Sequence, residues 1–163
     1  MVTRNSQNTY ITTDTNNQVL MPAQPAFLAT HGATTGSVTG DGTNYNVIFA
    51  NEIFDQNSDY NNATGIFTAP VTGRYLLNGA VCYSNLGAAH TSGSTYIYTS
   101  NRTYYSSIMN AYAVSTGGLL GFTSGCTADM DAADSALCVA LINNGAKTVQ
   151  VYQSSYFSGV LIC

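Results

Sequence analysis

The sequence predicts a single all-β domain, an antiparallel sandwich or barrel. No stretch keeps an i, i+3, i+4, i+7 apolar stripe for three turns, so helices are not expected. Short runs rich in Val, Ile, Thr, Tyr and Phe recur along the chain, separated by Gly, Asn, Asp, Ser and Pro. Within several of these runs apolar and polar residues alternate, which is the period of a half-buried strand.

Ten strands are expected from these runs. In chain order they are 25–31, 46–50, 51–54, 57–60, 65–69, 73–84, 94–105, 118–130, 135–142 and 150–163. The residues between them favour turns. Pro70 to Gly73 has the composition of a tight reversal, because proline presets φ and glycine accepts positive φ. Asp131 to Asp134 and Asn143 to Gly145 separate later strands in the same way.

Uncharged polar residues replace the usual surface charges. Only 7% of the residues are charged, whereas the chain contains 21 Thr, 16 Asn, 15 Ser and 15 Gly. A net charge of −4 with a single lysine argues against a nucleic-acid partner, because phosphates need several cations. No apolar run approaches the ~20 residues that span a bilayer, so membrane insertion is not expected.

The chain is expected to have two parts. Residues 1–21 form a polar lead-in, because Thr3 to Gln18 is almost wholly Thr, Asn, Gln, Asp and Ser and cannot build a core. This lead-in is either a flexible end or the last piece of a fibre shaft. Residues 22–163 are expected to form the folded head.

The last predicted strand is apolar on both faces. Phe157, Leu161 and Cys163 fall on one face, and Tyr156 with Val160 and Ile162 on the other. A small two-sheet sandwich has one interior, so each strand needs only one apolar face. Because the sequence offers no helix to cover the second face, we expect another copy of the chain to cover it.

Five segments, in the expected order, resemble the signature of the C1q/TNF-like globular domain. They are 25–29, 57–70, 73–77, 130–137 and 156–161. The resemblance covers about 22–163. It departs from the family at Ala133, where a glycine is usual, and at Val160, where an aromatic residue is frequent.

The resemblance implies a ten-stranded antiparallel jelly-roll sandwich that assembles as a homotrimer. In such a trimer the sheet with the first and last strands packs around the threefold axis. The candidate interface residues are Phe27, Tyr156, Val160 and Ile162.

The lead-in resembles the end of a β-rich viral fibre shaft, and the composition is similar to that of phage tail-fibre tips. This implies a virion protein at the tip of a tail fibre, extracellular when it acts. Its partners would be the upstream shaft and a host cell-surface glycan or protein. Two alternatives stay open: a module that only trimerises and caps a fibre, and a secreted C1q-like lectin.

Strand direction selects the loops that would face a receptor. Counting alternate loops sends 32–45, 70–72, 106–117 and 143–149 away from the stalk and leaves 85–93 and 131–134 beside it. The candidate receptor-binding residues are Asn44, Asn110, Tyr112, Asn143, Asn144 and Lys147. We expect Lys147, the only lysine, to contact an acidic or hydroxylated group.

The candidate catalytic residues do not form a known arrangement. His31 and His90 are the only histidines, and no serine lies in a G-x-S-x-G context, so the chain is predicted not to be an enzyme and to need no cofactor. Both histidines are interpreted as loop or interface residues.

Metal binding has two candidates. Residues 55–59 begin like a calcium loop, but Tyr60 and Ile66 occupy the positions of the required glycine and glutamate. The family resemblance suggests Asp41 instead, as a calcium ligand in a loop.

The four cysteines, Cys82, Cys126, Cys138 and Cys163, all lie in apolar runs and none forms a C-x-x-C pair. Free, buried thiols are therefore favoured over two disulfides.

Overall fold

The computed structural model describes residues 11–110 and 118–163. The described residues form fifteen strands and no helix, which confirms the predicted all-β class. In the same residues, no helix has the length and apolar character needed to cross a bilayer. The strands are β1 (Thr12–Thr13), β2 (Val19–Leu20), β3 (Ala26–Thr30), β4 (Thr35–Thr39), β5 (Asn44–Asn46), β6 (Asn51–Asp55), β7 (Tyr60–Asn61), β8 (Ile66–Thr68), β9 (Gly73–Ser84), β10 (Ser92–Thr99), β11 (Thr103–Met109), β12 (Leu120–Met130), β13 (Ser135–Asn143), β14 (Val149–Val151) and β15 (Tyr156–Leu161).

Two antiparallel sheets pack face to face. The seven-stranded sheet runs β4-β14-β9-β15-β3-β6, and β12 pairs with the other edge of β9. The six-stranded sheet runs β11-β10-β13-β8-β7, and β5 also pairs with β13. The short hairpin of β1 and β2 belongs to neither sheet.

Several predicted strands divide differently in the structure. The predicted strand 94–105 is two strands, because a turn at 100–102 reverses the chain between β10 and β11. The predicted strand 150–163 is interrupted at 152–155. Residues 47–50 lie between β5 and β6 and carry the chain from one sheet to the other.

An aromatic cluster fills the interior between the sheets. The Phe27 ring stacks on Tyr60 with centroids 4.8 Å apart and on Phe67 at 4.9 Å, and the Phe157 ring meets it edge-on at 5.1 Å. Gly159 leaves room for this cluster, because a Cβ there would lie 2.5 Å from the Phe27 ring. Phe27 is therefore a core residue, 1% exposed. Its predicted place in a trimer interface is wrong.

The strand directions define two ends of the sandwich. The proximal end holds the start of β3, the end of β15 and the turns 69–72, 100–102 and 131–134. The distal end holds the turns 40–43, 85–91 and 144–148.

The loop assignment made from strand counting is wrong for two loops. The 70–72 turn is proximal and the 85–93 loop is distal, the reverse of the prediction. The count fails because β3 and β4 run in the same direction. It also fails because β5 and β6 form a single downward pass, 44–55, instead of two reversing strands.

All four cysteines are free, and three of them are shielded from solvent. Cys138 is fully buried between the sheets, and this burial raises the pKa of its thiol to about 12. Cys82 and Cys126 are partly buried. Cys163 is exposed because it follows the end of β15, so the prediction of a buried thiol is wrong at that position.

Candidate functional site

Backbone hydrogen bonds join two loops at the distal end. The N–H groups of Gly40 and Gly42 donate to the Ile142 carbonyl at 3.1 and 2.9 Å, and the Gly145 N–H donates to the Gly40 carbonyl at 2.8 Å. The 40–43 and 144–148 turns therefore form one continuous surface. Gly40 has a φ of +127°, and a Cβ there would lie 2.1 Å from the Ala146 carbonyl oxygen, so the contact requires glycine.

His90 fastens the third distal loop to this surface. The Gly87 N–H donates to His90 Nδ1 at 2.8 Å, which places the ring hydrogen on Nε2, and Nε2 donates to the Ala146 carbonyl at 3.0 Å. A Cβ on Gly145 would lie 2.2 Å from the ring, so the imidazole packs directly on that backbone. Both ring nitrogens are thus used in holding loops together.

His31 also has a structural position. Its Nδ1 lies 2.8 Å from the Ile48 carbonyl oxygen and its Nε2 lies 3.0 Å from Thr35 Oγ1. Burial lowers the pKa of the imidazole, although the Ile48 carbonyl partly opposes this. Neither histidine is a loop-tip residue, since His31 and His90 are both buried.

Most of the predicted receptor-binding residues lie on or beside the distal end. Asn143 ends β13 and Lys147 lies within the 144–148 turn. The Asn144 side chain donates to Thr91 Oγ1 at 2.7 Å, which ties this turn to the 85–91 loop. Asn110 follows β11 on the same side, whereas Asn44 begins β5. Tyr112 lies outside the described residues.

Asp41 and Lys147 give the distal surface neighbouring charges of opposite sign. Hydrogen bonds from Thr43 hold the pKa of the Asp41 carboxyl below its usual value, and the Lys147 ammonium lowers it further. The described residues contain no group of three or more His, Cys, Asp or Glu side chains placed to hold a metal ion.

The outward face of the seven-stranded sheet carries apolar side chains around a polar pair, Asn78 and Ser158. We name Leu28, Phe54, Leu76, Tyr156 and Val160 the apolar sheet face. The register places Val160 beside Leu76, Tyr156 beside Ala80, and Leu28 beside Phe54, with all of these side chains pointing away from the core. Leu76 is 46% exposed, and a groove of about 350 Å³ runs between Phe54, Leu76 and Val160. A large exposed apolar surface of this kind marks an interaction site.

Ile162, the remaining predicted interface residue, lies at the proximal end. It lines an apolar groove of about 510 Å³ together with Met21, Pro25, Val71 and Leu161. This groove is where the lead-in joins the head. The Gln56 side chain donates to the Met21 carbonyl at 2.9 Å and the Asn57 side chain donates to the Ala23 carbonyl at 3.3 Å.

The segment 55–59, which begins like a calcium loop in the sequence, brings two carboxylates to the proximal end. Asp55 Oδ2 accepts the Tyr60 N–H at 2.8 Å, but Asp55 Oδ1 and Asp59 Oδ2 are buried without a hydrogen-bond partner. Burial, and then the charge of Asp55, raise the pKa of the Asp59 carboxyl. The Asp-x-Asn-x-Asp spacing of residues 55–59 was visible in the sequence, whereas the burial of these carboxylate oxygens was not.

Comparison with known proteins identifies the fold. No family model and no curated protein matches the chain. Among solved structures, the globular domain of zebrafish complement 1qA superposes with a TM-score of 0.58 at 17% identity, over 86% of this chain and 98% of that one. The chain has the C1q/TNF jelly-roll fold.

Two further C1q/TNF-fold structures agree. Murine APRIL matches with a TM-score of 0.59 at 12% identity, over 85% of this chain and 99% of that one. The Eiger TNF of S. frugiperda matches with a TM-score of 0.57 at 14% identity, over 86% and 92% of the two chains. The resemblance read from the five sequence segments is therefore confirmed for the fold.

Proposed function

We propose that this chain is the trimeric, non-enzymatic head of a viral or phage tail fibre, and that it attaches the particle to a glycan or protein on the host cell surface. The observation that carries the proposal is the apolar sheet face. In one copy of the chain Phe54 and Leu76 are about half exposed, and Leu28 and Val160 are partly buried. Burying them stabilises an assembly by about 25 cal/mol per Å² of apolar area.

In a trimer that buries the apolar sheet face, the three heads point in the same direction. The lead-in joins the head at the proximal end, so a fibre shaft attached there leaves the three distal ends facing outwards. Three equivalent copies of the head bind together, and avidity offsets weak binding at each one. This arrangement supports an attachment role at the tip of a fibre.

The candidate catalytic groups support a role without catalysis. His90 holds two loops with its two ring nitrogens, and His31 is bonded to a carbonyl and a hydroxyl. Neither imidazole is placed to activate a nucleophile at an open cleft. The low charge and the Thr, Asn, Ser and Gly content suit a surface that meets its ligand through neutral hydrogen bonds.

Sedimentation tests the assembly. We expect the wild-type chain to sediment at micromolar concentration with three times the 17.2 kDa mass. Leu76→Glu places a charge in the buried centre of the proposed interface and should yield a monomer. Ile108→Glu is the matched control, because Ile108 is also an exposed aliphatic residue but lies on the other sheet. A folded wild-type monomer at micromolar concentration contradicts the proposal.

Cell labelling tests attachment. The fluorescent wild-type trimer should stain host cells, and excess unlabelled trimer should block adsorption of the particle. A stable trimer that neither stains cells nor competes would instead support the trimerisation and capping module.

A further inference from the structure

The outward face of the six-stranded sheet carries a second apolar cluster. Along β13, Ala136 and Cys138 point into the core, while Leu137 and Val139 point outwards. Tyr96 on β10 lies opposite Val139 and is buried with it. Along a surface strand, the side chains that point to solvent are normally polar. An apolar cluster on the outward face therefore requires an explanation.

Tyrosine rings cover this cluster. The Tyr96 and Tyr105 ring centroids lie 4.6 Å apart, and Tyr98 lies opposite Leu137 in the register. Burial raises the pKa of the Tyr96 hydroxyl, and the neighbouring Tyr105 and Tyr98 raise it further, which agrees with three rings in one group. We name Tyr96, Tyr98, Tyr105, Leu137 and Val139 the tyrosine face.

The rings cover the aliphatic residues but remain open on their outer side. Tyr98 is 45% and Tyr105 is 59% exposed, whereas Leu137 and Val139 are buried. Solvent and ligands therefore meet aromatic rings with hydroxyl groups here. The aliphatic side chains below them are not available.

The six-stranded sheet carries no charge. None of the residues of β5, β7, β8, β10, β11 and β13 is Asp, Glu, Lys or Arg. The outward positions beside the tyrosine face include amides and hydroxyls, together with the aliphatic residues Ile66, Leu141 and Ile108. Asn44 and Asn46 lie opposite Leu141 and Val139, and Thr103 lies opposite Tyr98. These groups donate and accept neutral hydrogen bonds.

We infer that the tyrosine face binds a neutral glycan, which names the ligand class and the site of the attachment role proposed above and rests on it. The apolar C–H faces of sugar rings stack on aromatic rings, and sugar hydroxyls pair with amides and hydroxyls. An acidic glycan would call for a cation, and the strands of this sheet have none; Arg102 lies outside them, in the 100–102 turn. A protein partner of the kind that suits the apolar sheet face would find Leu137 and Val139 already covered, and would meet Ile108 on β11 as an exposed aliphatic residue.

The position of the face fits a trimer. It lies on the opposite side of the sandwich from the apolar sheet face, so assembly through that face leaves it accessible. Each head then presents three copies of the glycan site on its outer wall.

The test uses the full chain on an array of immobilised neutral and acidic oligosaccharides. Wild type should bind neutral members. Tyr98→Ala and Tyr105→Ala should each weaken binding by about ten-fold or more, because each removes a stacking ring. Tyr98→Phe and Tyr105→Phe keep the ring and should retain most of the binding. Circular dichroism and sedimentation confirm that each variant keeps its fold and its oligomeric state.

Lys147→Ala is the comparison variant, because it changes the distal surface and leaves the tyrosine face intact. The inference is overturned if Lys147→Ala abolishes binding while the tyrosine variants leave it unchanged. It is also overturned if the wild-type protein binds only acidic oligosaccharides. Cell staining that resists periodate oxidation of surface glycans indicates a protein receptor; it overturns this inference while the proposed function stands. A wild-type trimer that binds neutral oligosaccharides but stains no host cell contradicts the proposed function and leaves the glycan site supported.

Discussion

The two sheets of this sandwich treat their outward apolar residues differently. On the seven-stranded sheet, Phe54 and Leu76 are open to solvent. On the six-stranded sheet, Leu137 and Val139 are buried under tyrosine rings of the same chain. The first face leaves apolar area for another molecule to cover, whereas the second covers Leu137 and Val139 itself and leaves Ile108 exposed. An apolar strand pattern therefore indicates association only where no neighbouring ring closes over it.

Charge separates the two faces further. At the edge of the apolar sheet face, Arg74 and Asp129 lie opposite each other in the register of β9 and β12. The six-stranded sheet has no charged residue in its strands. Charges around an apolar centre fix the orientation of a protein partner. Their absence suits a ligand that is itself uncharged.

Two neighbouring residues on β3 test the inner and outer sides of the seven-stranded sheet. Phe27→Ala should lower the free energy of unfolding by about 3–5 kcal/mol, because it opens a cavity among Tyr60, Phe67 and Phe157. Leu28→Ala should leave the stability of the isolated chain nearly unchanged and weaken self-association. Urea denaturation measures the first effect and sedimentation equilibrium the second.

The two variants are controls for each other, because Phe27→Ala should not change self-association and Leu28→Ala should not change the free energy of unfolding. If Leu28→Ala unfolded the monomer as readily as Phe27→Ala, the apolar sheet face would be part of a second core.

A second pair compares the two outward faces directly. Tyr96→Ala should cost about 2 kcal/mol of unfolding free energy, because the Tyr96 side chain is buried against Val139 and Tyr105. Leu76→Ala should cost much less in a monomer, because Leu76 is half exposed. Thermal denaturation below the association concentration makes the comparison. Equal losses would show that the tyrosine face is no better packed than its counterpart.

The sequence predicted the alternation of these strands but not which side points inwards. Around Phe27 and Leu28 the residues on both faces of the strand are apolar, so alternation does not show which face is buried. Phe27 was therefore placed on the wrong face. Tyr96 and Tyr98 are two residues apart and lie on one face of β10, as the alternation of a strand requires. The contact between the Tyr96 and Tyr105 rings depends on a bulge between Thr95 and Tyr96, which has no sequence signal.

The distal surface was predicted in part. Asn143 and Asn144 are part of a clear turn signal, Asn-Asn-Gly, and Lys147 comes two residues after it. Their loop is distal, as expected. The role of His90 was missed, because its partners, Gly87 and Ala146, supply only backbone groups. A contact to a backbone carbonyl in a distant loop leaves no residue pattern to recognise.

Substitutions in the loops that connect the two sheets provide a smaller test, because they should change the stability without changing either outward face. Asp59 lies in the β6–β7 connection, and its raised pKa means that the folded chain binds the proton more tightly than the unfolded chain. The free energy of unfolding should therefore fall as the pH rises above 3.8 and through the folded pKa. Asp59→Asn should remove this dependence and stabilise the protein at pH 7 by less than ~1 kcal/mol after solvent screening.

Asp134 supplies a control of opposite sign. Hydrogen bonds from Ser100, the Asp131 N–H and Asn101 lower the pKa of its carboxyl, so its contribution is present above 3.8 and is lost as the pH falls through the folded pKa. Asp134→Asn should destabilise the protein at pH 7. Urea titrations between pH 3 and pH 7 measure both variants; slopes of the same sign would refute the assignment of the two carboxyl environments.

The turn between β12 and β13, which also joins the two sheets, gives the smallest expected effect. Ala133 has a φ of +74°, a left-handed conformation that costs a residue with a Cβ and costs glycine nothing. Ala133→Gly should therefore stabilise the fold by about 0.5 kcal/mol, the relief of strain exceeding the added freedom of the unfolded chain. Ala132→Gly is the matched control, because Ala132 has no positive φ and should lose about 0.5 kcal/mol instead. Thermal denaturation of both variants should move the midpoint in opposite directions, with oligosaccharide binding and sedimentation unchanged. Glycine at position 133 keeps the N–H bond to the Ala69 carbonyl, at 2.8 Å, so a loss of stability in both variants would contradict the assignment of strain to Ala133.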